Sequence, residues 1–496
     1  MTSLAHFETL AGSIKLPSKA VIDGKLVTSA SGAVFDNMSP RNGQLINRIA
    51  LCSDDDADLA VAAARRSFED GRWRKLHYRD KKRIMFRLAD LMERDLEVLA
   101  LLESLDSGKP IRDTTAFDVP SAVRTLRYYA EALDKVHGEV GPETADRFSY
   151  AVHEPLGVIG AIMPWNFPIH LTMWKVAPAL AMGNSLVVKP AELTSMTALK
   201  LGELALEAGV PAGVLNIITG KGSVAGKAIA LHMDVDMLTF TGSGPVGRML
   251  MKYAADSNLK RVSLELGGKS PHIIFADCPD LDAAAMHAAF GIFYNQGEVC
   301  TAGSRLLVEN KVRDSFLDKL VAAAKTYVPG DPLEPATNFG AMVSESQMNT
   351  VLGYIDTARK EGAGLALGGK RVRPESGGYF VEPTVFDNVA PASTLSQEEV
   401  FGPVLAVTPF RDANEALAIA NNTVFGLASG VWTRDISLAH RAAREIKAGL
   451  VWINGWDSCD ITMPFGGFKQ SGFGRDRSLH ALYKYADLKS VSITIR

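Results

Sequence analysis

The feature that most constrains the fold is an alternation of short apolar runs with helical segments between residues 157 and 266. The helical segments lie at about 170 to 182, 195 to 208, 223 to 232 and 246 to 255. The apolar runs lie at 157 to 163, 185 to 189, 214 to 218, 237 to 241 and 261 to 266. Strands that alternate with helices in this way predict a doubly wound parallel sheet with helices on both faces.

A second series with the same alternation follows the first. Its strands are predicted near 271 to 276, 303 to 309 and 404 to 410, and its helices near 280 to 294, 311 to 327 and 434 to 447. Because 496 residues exceed what one hydrophobic core usually organises, the chain is expected to form two or three domains. The predicted fold class is therefore α/β.

The segments around these two series carry shorter signals. An Asp-Gly pair within residues 21 to 27 predicts a hairpin. Apolar residues at helical spacing predict helices over 80 to 105 and 119 to 135. Apolar and polar residues alternate at 146 to 154 and again from 488 to 495, so both stretches are expected to be strands. The first strand would leave an edge open to pairing, and we assign it to oligomerisation.

Composition and charge exclude several classes of protein. With 47% hydrophobic residues, 22% charged residues and a formal net charge of -3, the chain has no general field that attracts nucleic acid or an anionic membrane. It also lacks an uninterrupted apolar stretch of about twenty residues and a basic, apolar leader. A cytoplasmic protein that acts on small molecules is predicted.

The cysteines and histidines favour neither disulfides nor metal. Cys52, Cys278, Cys300 and Cys459 are scattered, and no two of them form a CxxC pair. This argues against a disulfide framework and a zinc site, and it suits a reducing compartment. The ten histidines include no HExxH spacing, so no metal site is predicted.

One of these cysteines is a candidate nucleophile. Residues 293 to 305, Phe-Tyr-Asn-Gln-Gly-Glu-Val-Cys-Thr-Ala-Gly-Ser-Arg, set the thiol of Cys300 between small or polar residues. A thiol is the most nucleophilic side chain available near neutral pH. A lone cysteine is more often a small buried hydrophobe, so this stretch by itself leaves both interpretations open.

A glycine-rich turn favours a phosphate site. Gly242, Gly244 and Gly247 follow a predicted strand, open a predicted helix and satisfy GxGxxG. Backbone N–H groups at a helix N-terminus can face a phosphate. The alternative is a tight turn that requires glycine for its backbone shape.

Two acids compete as partners of a nucleotide ribose. A dinucleotide fingerprint requires an acid about twenty residues after its last glycine, and Glu265 follows Gly247 at roughly that spacing. Glu192 and Lys189 lie in Val-Val-Lys-Pro-Ala-Glu, where Pro190 ends a strand. Ligands of open α/β sheets bind at such strand ends. A glycine pair directly after Glu265 would also bring the backbone close to another group.

Seven motifs occur in a fixed order along the chain. They are Met-Pro-Trp-Asn-Phe-Pro (163 to 168), Lys-Pro-Ala-Glu (189 to 192), Phe-Thr-Gly-Ser (240 to 243), Leu-Glu-Leu-Gly-Gly-Lys-Ser (264 to 270), the Cys300 stretch, Glu-Glu-Val-Phe-Gly-Pro (398 to 403) and Pro-Phe-Gly-Gly-Phe-Lys-Gln-Ser-Gly (464 to 472). As a set, these motifs resemble the NAD(P)-dependent aldehyde dehydrogenase superfamily over nearly the whole chain.

The resemblance implies a catalytic role for each of several residues. Cys300 would attack the aldehyde carbon, while the Asn166 amide and the Cys300 backbone N–H would hold the oxyanion. Glu265 would activate the water that resolves the thioester, which displaces the ribose role considered above. Lys175 would support catalysis or pack beside the core.

The resemblance also implies an NAD site and a substrate tunnel. The expected cofactor residues are Lys189, Glu192, Gly242, Ser243, Gly247, Glu399 and Phe401. Glu192 favours NAD over NADP, because its carboxylate would repel a 2′-phosphate. The expected tunnel residues are Phe167, Trp174, Trp456, Asp457, Asp460 and Phe465. Two acids in this tunnel favour an aldehyde with an amino group or a polar amide tail.

The stretches 275 to 281 and 474 to 481 are most similar to γ-glutamyl-γ-aminobutyraldehyde dehydrogenase and related aminoaldehyde enzymes of polyamine breakdown. There are also departures from the superfamily pattern. Gly244 replaces a threonine, and Asp476 stands where many relatives carry glutamate. For Asp476 we expect a surface salt bridge rather than a role in proton transfer.

The sequence as a whole predicts a Rossmann-like NAD-binding domain (1 to 136 and 156 to 267), an α/β catalytic domain (268 to 470) and a small β oligomerisation extension (137 to 155 and 480 to 496). The expected protein is a homodimer or homotetramer that oxidises an aldehyde, such as γ-glutamyl-γ-aminobutyraldehyde, with NAD. A general or semialdehyde-specific dehydrogenase, a cofactor-independent thiol esterase and a non-catalytic structural protein are the alternatives.

Overall fold

A computed structural model describes residues 3–142, 144–458 and 460–496. Its first large sheet has eight strands, in the order Lys25–Val27, Ala20–Ile22, Leu215–Ile217, Ser185–Lys189, Val158–Ile162, Met237–Thr241, Arg261–Glu265, Gly472–Phe473. The five strands from Leu215–Ile217 to Arg261–Glu265 are parallel. When these five are numbered by their order along the chain, they lie side by side in the order 3-2-1-4-5. The predicted doubly wound sheet is confirmed.

This sheet is buried on both faces, because alternate residues of its strands enter different cores. Val158 and Ile162 pack with the helix Asp54–Glu69 on one face, whereas Ile159 and Ala161 pack with the helix Pro168–Ala181 on the other. Side chains of a strand alternate between faces, so strands that are apolar throughout indicate a sheet covered by helices on both sides.

A second sheet has seven strands, in the order Gly364–Leu367, Thr384–Asp387, Val404–Phe410, Arg305–Glu309, Pro271–Ile274, Ala428–Trp432, Leu450–Ile453. All of them are parallel except Gly364–Leu367. The sequence prediction omits Thr384–Asp387, Ala428–Trp432 and Leu450–Ile453. Ala428–Trp432 contains serine and glycine, and its strand conformation is stabilised by pairing on both sides in a buried position.

A three-stranded sheet forms the predicted extension. Arg147–Pro155 pairs antiparallel with Ala486–Thr494 along its whole length, and Glu139–Val140 adds a short third strand. Arg147–Pro155, for which the sequence predicts an open edge, is instead the central strand of the three. Ala486–Thr494 is an edge strand, so one row of its backbone groups is open to pairing. The contact between the C-terminal strand and 147–155 is the one that the sequence predicts.

Helices cover both large sheets. They are Leu4–Ser13, Asp54–Glu69, Tyr78–Arg94, Leu96–Ser107, Ile111–Asp113, Val119–Ala132, Pro168–Ala181, Met196–Ala208, Lys227–Leu231, Gly244–Ala255, Leu281–Phe293, Arg313–Ala324, Glu345–Lys360, Thr394–Gln397, Ala413–Asn421, Ile436–Glu445 and His480–Tyr483. Thr114–Asp118 and Gly222–Gly226 are π-helical, and Tyr294–Gly297, Pro374–Ser376 and Lys469–Ser471 are 3₁₀ turns.

Two features of this set differ from the sequence prediction. The helix expected over 80 to 105 is two helices, because Asp95 leaves helical geometry at φ -95° and ψ 19° and ends the first of them. The helices Glu345–Lys360 and Ala413–Asn421 are not predicted by the sequence pattern.

Small hairpins complete the fold. Val34–Met38 pairs with Leu45–Ala50, and Arg371–Val372 pairs with Phe380–Val381. The hairpin predicted at 21 to 27 is confirmed, with Asp23 at φ 50° and Gly24 at φ 73° in its two-residue turn. Among the helices described here, none is long and apolar enough to cross a bilayer.

Candidate active site

Cys300 follows a strained turn. Asn295, Gln296 and Gly297 have φ values of 48°, 55° and 73°, which is a left-handed conformation that non-glycine residues rarely adopt. At Gly297 a Cβ atom would lie 2.3 Å from the carbonyl oxygen of Gly402, so only glycine fits this close approach. The backbone therefore reverses sharply just before the thiol, which is half-buried at the end of the turn.

Side-chain amides hold the strained turn in place. Asn295 Nδ2 donates to the carbonyl oxygens of Asn166 (3.0 Å) and Glu298 (3.2 Å), and Asn166 Nδ2 donates to the same Glu298 oxygen at 2.9 Å. An amide NH₂ group has two donors, so this bond orients Asn166 and leaves its second N–H for another acceptor. No role for Asn295 or Glu298 is predicted from the sequence, although both lie between Phe293 and Arg305.

Two cavities meet at the Cys300 side chain. The first, here called the sheet cavity, has a volume of about 300 Å³ and is lined by residues that include Asn166, Gly242, Ser243, Glu265, Glu399 and Phe401. The second, here called the aromatic cavity, has a volume of about 180 Å³ and is lined by residues that include Phe167, Trp174, Asp457, Asp460 and Phe465. The thiol is thus accessible from two sides.

The sheet cavity lies where the strand order of the first sheet reverses. The carboxyl ends of Val158–Ile162 and Met237–Thr241, which are neighbours at this point, lead directly into its walls. Such switch points are where open α/β sheets bind ligands. Ser243 is the N-cap of the helix Gly244–Ala255 and makes no capping hydrogen bond through its side chain, so donors of the first turn face this cavity as an anion site would require.

Gly247, predicted to bind cofactor, does not line this cavity. A Cβ atom at Gly247 would lie 2.8 Å from Leu266 Cδ2, so the residue lets the helix pack closely on the neighbouring strand. The structure therefore corrects its role from contact to packing, which is the part that the third glycine of a dinucleotide fingerprint has. Gly242 does line the cavity, and its N–H donates to the Glu265 carbonyl oxygen at 3.0 Å.

Glu265 ends the strand Arg261–Glu265 and is buried beside Cys300. Neither carboxyl oxygen has a hydrogen-bond partner among the described residues. Burial raises the pKa of Glu265 well above its ordinary value, and the nearby charge of Asp476 raises it further. A buried, unpartnered carboxyl with a strongly raised pKa in a cavity is typical of a proton-transfer group.

The prediction that Asp476 forms a surface salt bridge is wrong, because the residue is fully buried. Its two oxygens accept hydrogen bonds from Lys175 Nζ and Lys484 Nζ. Burial acts to raise the pKa of Asp476, but the two lysines outweigh it and keep the pKa below the ordinary value. The carboxylate is therefore ionised in a buried ion triad.

Lys175, predicted as a catalytic or supporting residue, also belongs to this triad. It is completely buried and lines neither cavity. Its charge acts on Glu265 at a distance, where it opposes the effect of Asp476. The structure thus assigns Lys175 to the surroundings of Glu265 and not to contact with a bound molecule.

The glycine pair after Glu265 makes the close approach that the sequence suggests. A Cβ atom at Gly267 would lie 1.8 Å from Glu399 Oε2, and one at Gly268 would lie 2.5 Å from the Cys300 carbonyl oxygen. Glu399 Oε1 also accepts a hydrogen bond from the Gly268 N–H at 2.9 Å. Burial raises the pKa of Glu399 to about 7, against the lowering effect of that bond.

Lys189 and Glu192 lie at the carboxyl end of Ser185–Lys189. Lys189 Nζ lies 3.2 Å from Glu192 Oε2, and Glu192 Oε1 accepts a bond from the Gly222 N–H at 2.8 Å. Burial lowers the pKa of Lys189, and Glu192 partly restores it. The two side chains are therefore adjacent, so both could bind the same part of a bound molecule. One oxygen of the Glu192 carboxylate is already hydrogen-bonded to a backbone N–H.

Phe401 lines the sheet cavity in a left-handed conformation, at φ 55°. Its carbonyl oxygen accepts a bond from Gln347 Nε2 at 2.8 Å, and its ring meets Trp165 edge-on with centroids 5.1 Å apart. The hydroxyl of Thr241, in the same wall, is buried without a partner among the described residues. A bound polar group would satisfy that oxygen.

Of the four aromatic residues expected in the aromatic cavity, Phe167, Trp174 and Phe465 line it, and Trp456 does not. The Trp456 ring stacks on His272 with centroids 4.6 Å apart. It fills space left by three glycines, Gly291, Gly303 and Gly430. The prediction for Trp456 is wrong, because the backbone turns this side chain into the core.

Both predicted acids line the aromatic cavity. Burial raises the pKa of Asp457 to about 6, although Arg477 acts to lower it. Asp460 Oδ1 accepts a hydrogen bond from the Thr462 N–H at 3.0 Å, and this bond lowers the pKa of Asp460. Asp460 therefore caps a turn as well as facing the cavity. Cys459, between them, lies outside the described residues.

The sequence prediction omits several polar and charged residues that line the aromatic cavity. Among them are Arg124, His170, Tyr294 and Arg477. His170 and Tyr294 belong to segments that the sequence assigns to helix packing and to the Cys300 stretch. The two arginines come from parts of the chain far apart in sequence, so no local pattern links them.

The resting state of Cys300 follows from its surroundings. Burial raises the pKa of the thiol above its ordinary value, and the charges of Glu399, Glu265 and Asp457 act in the same direction. The thiol is therefore protonated at neutral pH in this structure. Attack by its sulfur therefore requires that this proton first be lost.

The sequence matches the aldehyde dehydrogenase family over residues 26–491. The chain belongs to the aldehyde dehydrogenase family. NADP/NAD-dependent aldehyde dehydrogenase PuuC of Escherichia coli (strain K12) is 46% identical over 492 residues, which cover 99% of both chains. This confirms the family resemblance that the seven motifs predict.

Solved aldehyde dehydrogenases share the whole fold. The crystal structure of indole-3-acetaldehyde dehydrogenase with NAD⁺ is 51% identical and superposes with a TM-score of 0.99 over 100% of each chain. The structure of γ-glutamyl-γ-aminobutyraldehyde dehydrogenase from Burkholderia cenocepacia J2315 is also 51% identical, with a TM-score of 0.98 over 100% of each chain. These two family members, equally similar to this chain, are named for different aldehydes.

Proposed function

We propose that this aldehyde dehydrogenase oxidises an aldehyde with an amino group or a polar amide tail to its carboxylic acid, with NAD as the oxidant. The observation that carries the proposal is the position of Cys300, shared by two cavities with the unpartnered Glu265 carboxyl beside it. One cavity suits the cofactor and the other suits the aldehyde. γ-Glutamyl-γ-aminobutyraldehyde is a substrate of this type.

The reaction begins when the Cys300 thiol loses its proton, which passes to solvent. The thiolate adds to the aldehyde carbon, and the Asn166 amide and the Cys300 backbone N–H stabilise the resulting oxyanion. NAD, when held in the sheet cavity, would supply the hydride acceptor that oxidation of the thiohemiacetal to the thioester requires. Glu265 then takes a proton from water, which attacks the thioester, releases the acid and restores the thiol.

The walls of the sheet cavity fit a dinucleotide. Ser243 and the free N–H groups of the following helix suit a phosphate. Glu399, held by the Gly268 N–H, suits the hydroxyls of the nicotinamide ribose. Phe401 forms part of the wall. Lys189 and Glu192 lie outside the cavity lining, at the carboxyl end of the neighbouring strand Ser185–Lys189, and they suit the adenosine ribose. The unpartnered Thr241 hydroxyl adds a polar group where a ligand would bond.

The acids of the aromatic cavity support the substrate class. Asp457 and Asp460 offer carboxylates to an ammonium or an amide, and Phe167, Trp174 and Phe465 offer apolar walls to a carbon chain. The related γ-glutamyl-γ-aminobutyraldehyde dehydrogenase, 51% identical, is named for an aldehyde with a polar tail.

The assembly and the location belong to the same proposal. The strand Ala486–Thr494 leaves an edge open, and we assign this edge to a homodimer or homotetramer. A cytoplasmic location suits the scattered cysteines, of which Cys52, Cys278 and Cys300 are free thiols. The division into an NAD-binding domain (1 to 136 and 156 to 267), a catalytic domain (268 to 470) and an extension (137 to 155 and 480 to 496) follows the three sheets.

The test is NADH formation with a panel of neutral, acidic and amino aldehydes. We expect turnover with several of them and the largest kcat/KM for aldehydes with an amino or amide tail. Turnover of all aldehydes without any preference would contradict the proposed substrate class and would still support an aldehyde dehydrogenase. Ester hydrolysis without NADH formation from any aldehyde would favour a thiol esterase instead.

A further inference from the structure

A buried ion pair lies behind one wall of the aromatic cavity. The side chains of Lys109 and Asp118 are completely buried, and Lys109 Nζ donates a hydrogen bond to Asp118 Oδ2 at 2.8 Å. Lys109 Nζ also lies 3.6 Å from the centre of the Phe167 ring. Phe167 lines the aromatic cavity, whereas Lys109 and Asp118 line neither this cavity nor the sheet cavity. The Lys109 ammonium therefore contacts the cavity wall from behind, through the Phe167 ring.

The backbone around Lys109 is fixed by local hydrogen bonds. The helix Leu96–Ser107 ends at Gly108, which is its C-cap in the left-handed conformation at φ 76°. The Lys109 carbonyl oxygen accepts a hydrogen bond from the Ser104 hydroxyl at 2.6 Å, and the Lys109 N–H donates to the Ser107 hydroxyl at 3.3 Å. The direction in which the Lys109 side chain leaves the helix end is thus set by its own segment.

Asp118 reaches Lys109 from an irregular helical turn. Thr114–Asp118 is π-helical, and such turns occur often at functional sites. Phe117, directly before Asp118, lines the aromatic cavity. Among the described residues Asp118 Oδ1 has no hydrogen-bond partner, while Asp118 Oδ2 binds Lys109. The irregular turn therefore brings one residue to the cavity and its neighbour to the cation behind the cavity wall.

The segment that carries Phe167 connects the two cavities. Asn166, the residue before Phe167, lines the sheet cavity beside Cys300. The Ile169 N–H, two residues after Phe167, donates to both carboxyl oxygens of Glu103, at 3.1 and 3.3 Å. The backbone next to Phe167 is thus held by hydrogen bonds. The Phe167 ring has no hydrogen-bonding group, so a cation over its face is a directional contact that can fix its orientation.

We infer that Lys109 is a positioning residue, which holds the Phe167 ring against the carbon chain of the aldehyde beside Cys300. The inference rests on the proposed function, in which the aromatic cavity takes the aldehyde. A cation removed from water attracts an aromatic face more strongly than an exposed one does. Asp118 in turn fixes the position of that cation. A ring that cannot rotate keeps the bound chain aligned, with its carbonyl carbon at the thiol.

The test compares acetaldehyde with hexanal, whose chain is long enough to contact the Phe167 ring. Lys109→Met should lower kcat/KM for hexanal about tenfold, mainly through KM, because the chain loses an ordered wall. For acetaldehyde the loss should be less than about threefold, because two carbons make little contact with the ring. Lys109→Arg should retain part of the preference for hexanal, since a guanidinium also binds a carboxylate and an aromatic face.

A double-mutant cycle with Phe167→Leu separates positioning from support of the fold. If Lys109 acts through the Phe167 ring, Lys109→Met combined with Phe167→Leu should lower kcat/KM for hexanal by less than about twofold relative to Phe167→Leu alone. A residue that only stabilises the fold would lower kcat/KM by the same factor with and without the ring.

A second variant guards against failure to fold. Lys109→Met leaves the Asp118 carboxylate buried without a partner, so Lys109→Met/Asp118→Asn, which buries no lone charge, is made as well. Melting temperatures identify the folded variants, and both should show the selective loss with hexanal. Lys81→Met is the matched control, because Lys81 is also buried, binds the Arg74 carbonyl oxygen at 3.1 Å and lines neither cavity. It should leave the ratio of the two aldehydes unchanged.

The inference is overturned if a folded Lys109→Met enzyme loses activity equally with both aldehydes, or if its loss with hexanal is the same with and without Phe167→Leu. It is also overturned if every Lys109 substitution unfolds the chain, since Lys109 would then serve the fold. These outcomes leave the proposed function intact. If the wild type oxidises neither aldehyde, or if Phe167→Leu leaves hexanal unaffected, the assignment of the aromatic cavity to the aldehyde falls and this inference falls with it.

Discussion

The two cavities that meet at Cys300 are built in different ways. The sheet cavity is formed at the ends of neighbouring parallel strands, and its walls depend on the backbone at Gly242, Ser243 and Gly267. The aromatic cavity is formed by side chains from several helices and loops, Arg124, Trp174 and Asp460 among them. The first has little freedom to change, because its shape is set by strand register. The second can change by single substitutions, which suits recognition of different aldehydes.

The largest effect is expected where the cavities meet. Cys300→Ala should reduce both dehydrogenation and ester hydrolysis more than about a thousandfold, because the nucleophile is lost from both reactions. NAD should still bind, which a fluorescence titration would measure. Cys278→Ala, a change at a buried cysteine outside both cavities, is the control and should keep activity. Substantial turnover by Cys300→Ala would refute the assignment.

A substitution of Glu265, in the sheet cavity, should separate hydride transfer from hydrolysis of the thioester. Glu265→Gln should lower steady-state kcat by about 10² to 10⁴, the usual contribution of a general base. Hydride transfer should still occur once, so rapid mixing should show a burst of NADH followed by a stall. If this variant instead lost NAD affinity and kept its kcat, Glu265 would be a ribose ligand.

The ion triad beneath Glu265 is expected to control the pH profile. Asp476 raises the pKa of Glu265, so Asp476→Asn should lower that pKa. Because the base must be ionised, the fall of kcat at acid pH should move to lower pH, by about one unit if the charge effect is worth about 1.4 kcal/mol.

The same substitution leaves Lys175 and Lys484 without a buried counter-charge and should cost about 3 to 5 kcal/mol of the free energy of unfolding. The control is Asp487→Asn, at an exposed pair with Arg261, which should change neither the pH profile nor the melting temperature appreciably. An unshifted profile in a folded Asp476→Asn enzyme would contradict the coupling.

The choice between NAD and NADP tests the assignment of Glu192 to the adenosine ribose. Wild-type enzyme should prefer NAD, because a carboxylate at Glu192 repels a 2′-phosphate. Glu192→Gln should raise kcat/KM with NADP by about tenfold or less, since Lys189 already offsets part of the repulsion at 3.2 Å. Equal use of both cofactors by the wild type would remove the assignment.

The smallest effect is expected at the rim of the aromatic cavity. Asp460→Asn should raise KM about threefold for aldehydes with an ammonium, and less for neutral aldehydes of equal length, because Asp460 is exposed and screened. The Asn side chain can still accept the Thr462 N–H bond, so the turn should persist. An equal change for both substrates would reassign Asp460 to loop structure.

The elements that the sequence predicts well are those with a strong local pattern. Ser185–Lys189 and Met237–Thr241 coincide with their predicted strands, because both are short apolar runs between turn residues. Ala428–Trp432 is missed, because pairing on both sides outweighs its weak local preference. Local pattern therefore predicts an element only where local and tertiary preferences agree.

The same division holds within the site. Motif order brings Cys300, Glu265 and Asn166 to attention, and the structure brings them into contact with one cavity. Trp456 and Asp476 are misjudged, because the sequence does not show which way a side chain points from a loop or what surrounds it. The buried pairing of Asp476 with Lys175 joins residues about three hundred positions apart.

The succession of strands and helices follows largely from the sequence alone, and so does the choice of Cys300 as the candidate nucleophile, because periodicity, turn residues and contiguous motifs are local properties of the chain. Only the tertiary structure decides which charges share a space. Arg124, Asp460 and Arg477 come from three separate segments, and their meeting in one cavity depends on how helices and loops pack. Electrostatic interactions depend on distance in space and on burial, so the charge of the substrate can be inferred only after the chain has folded.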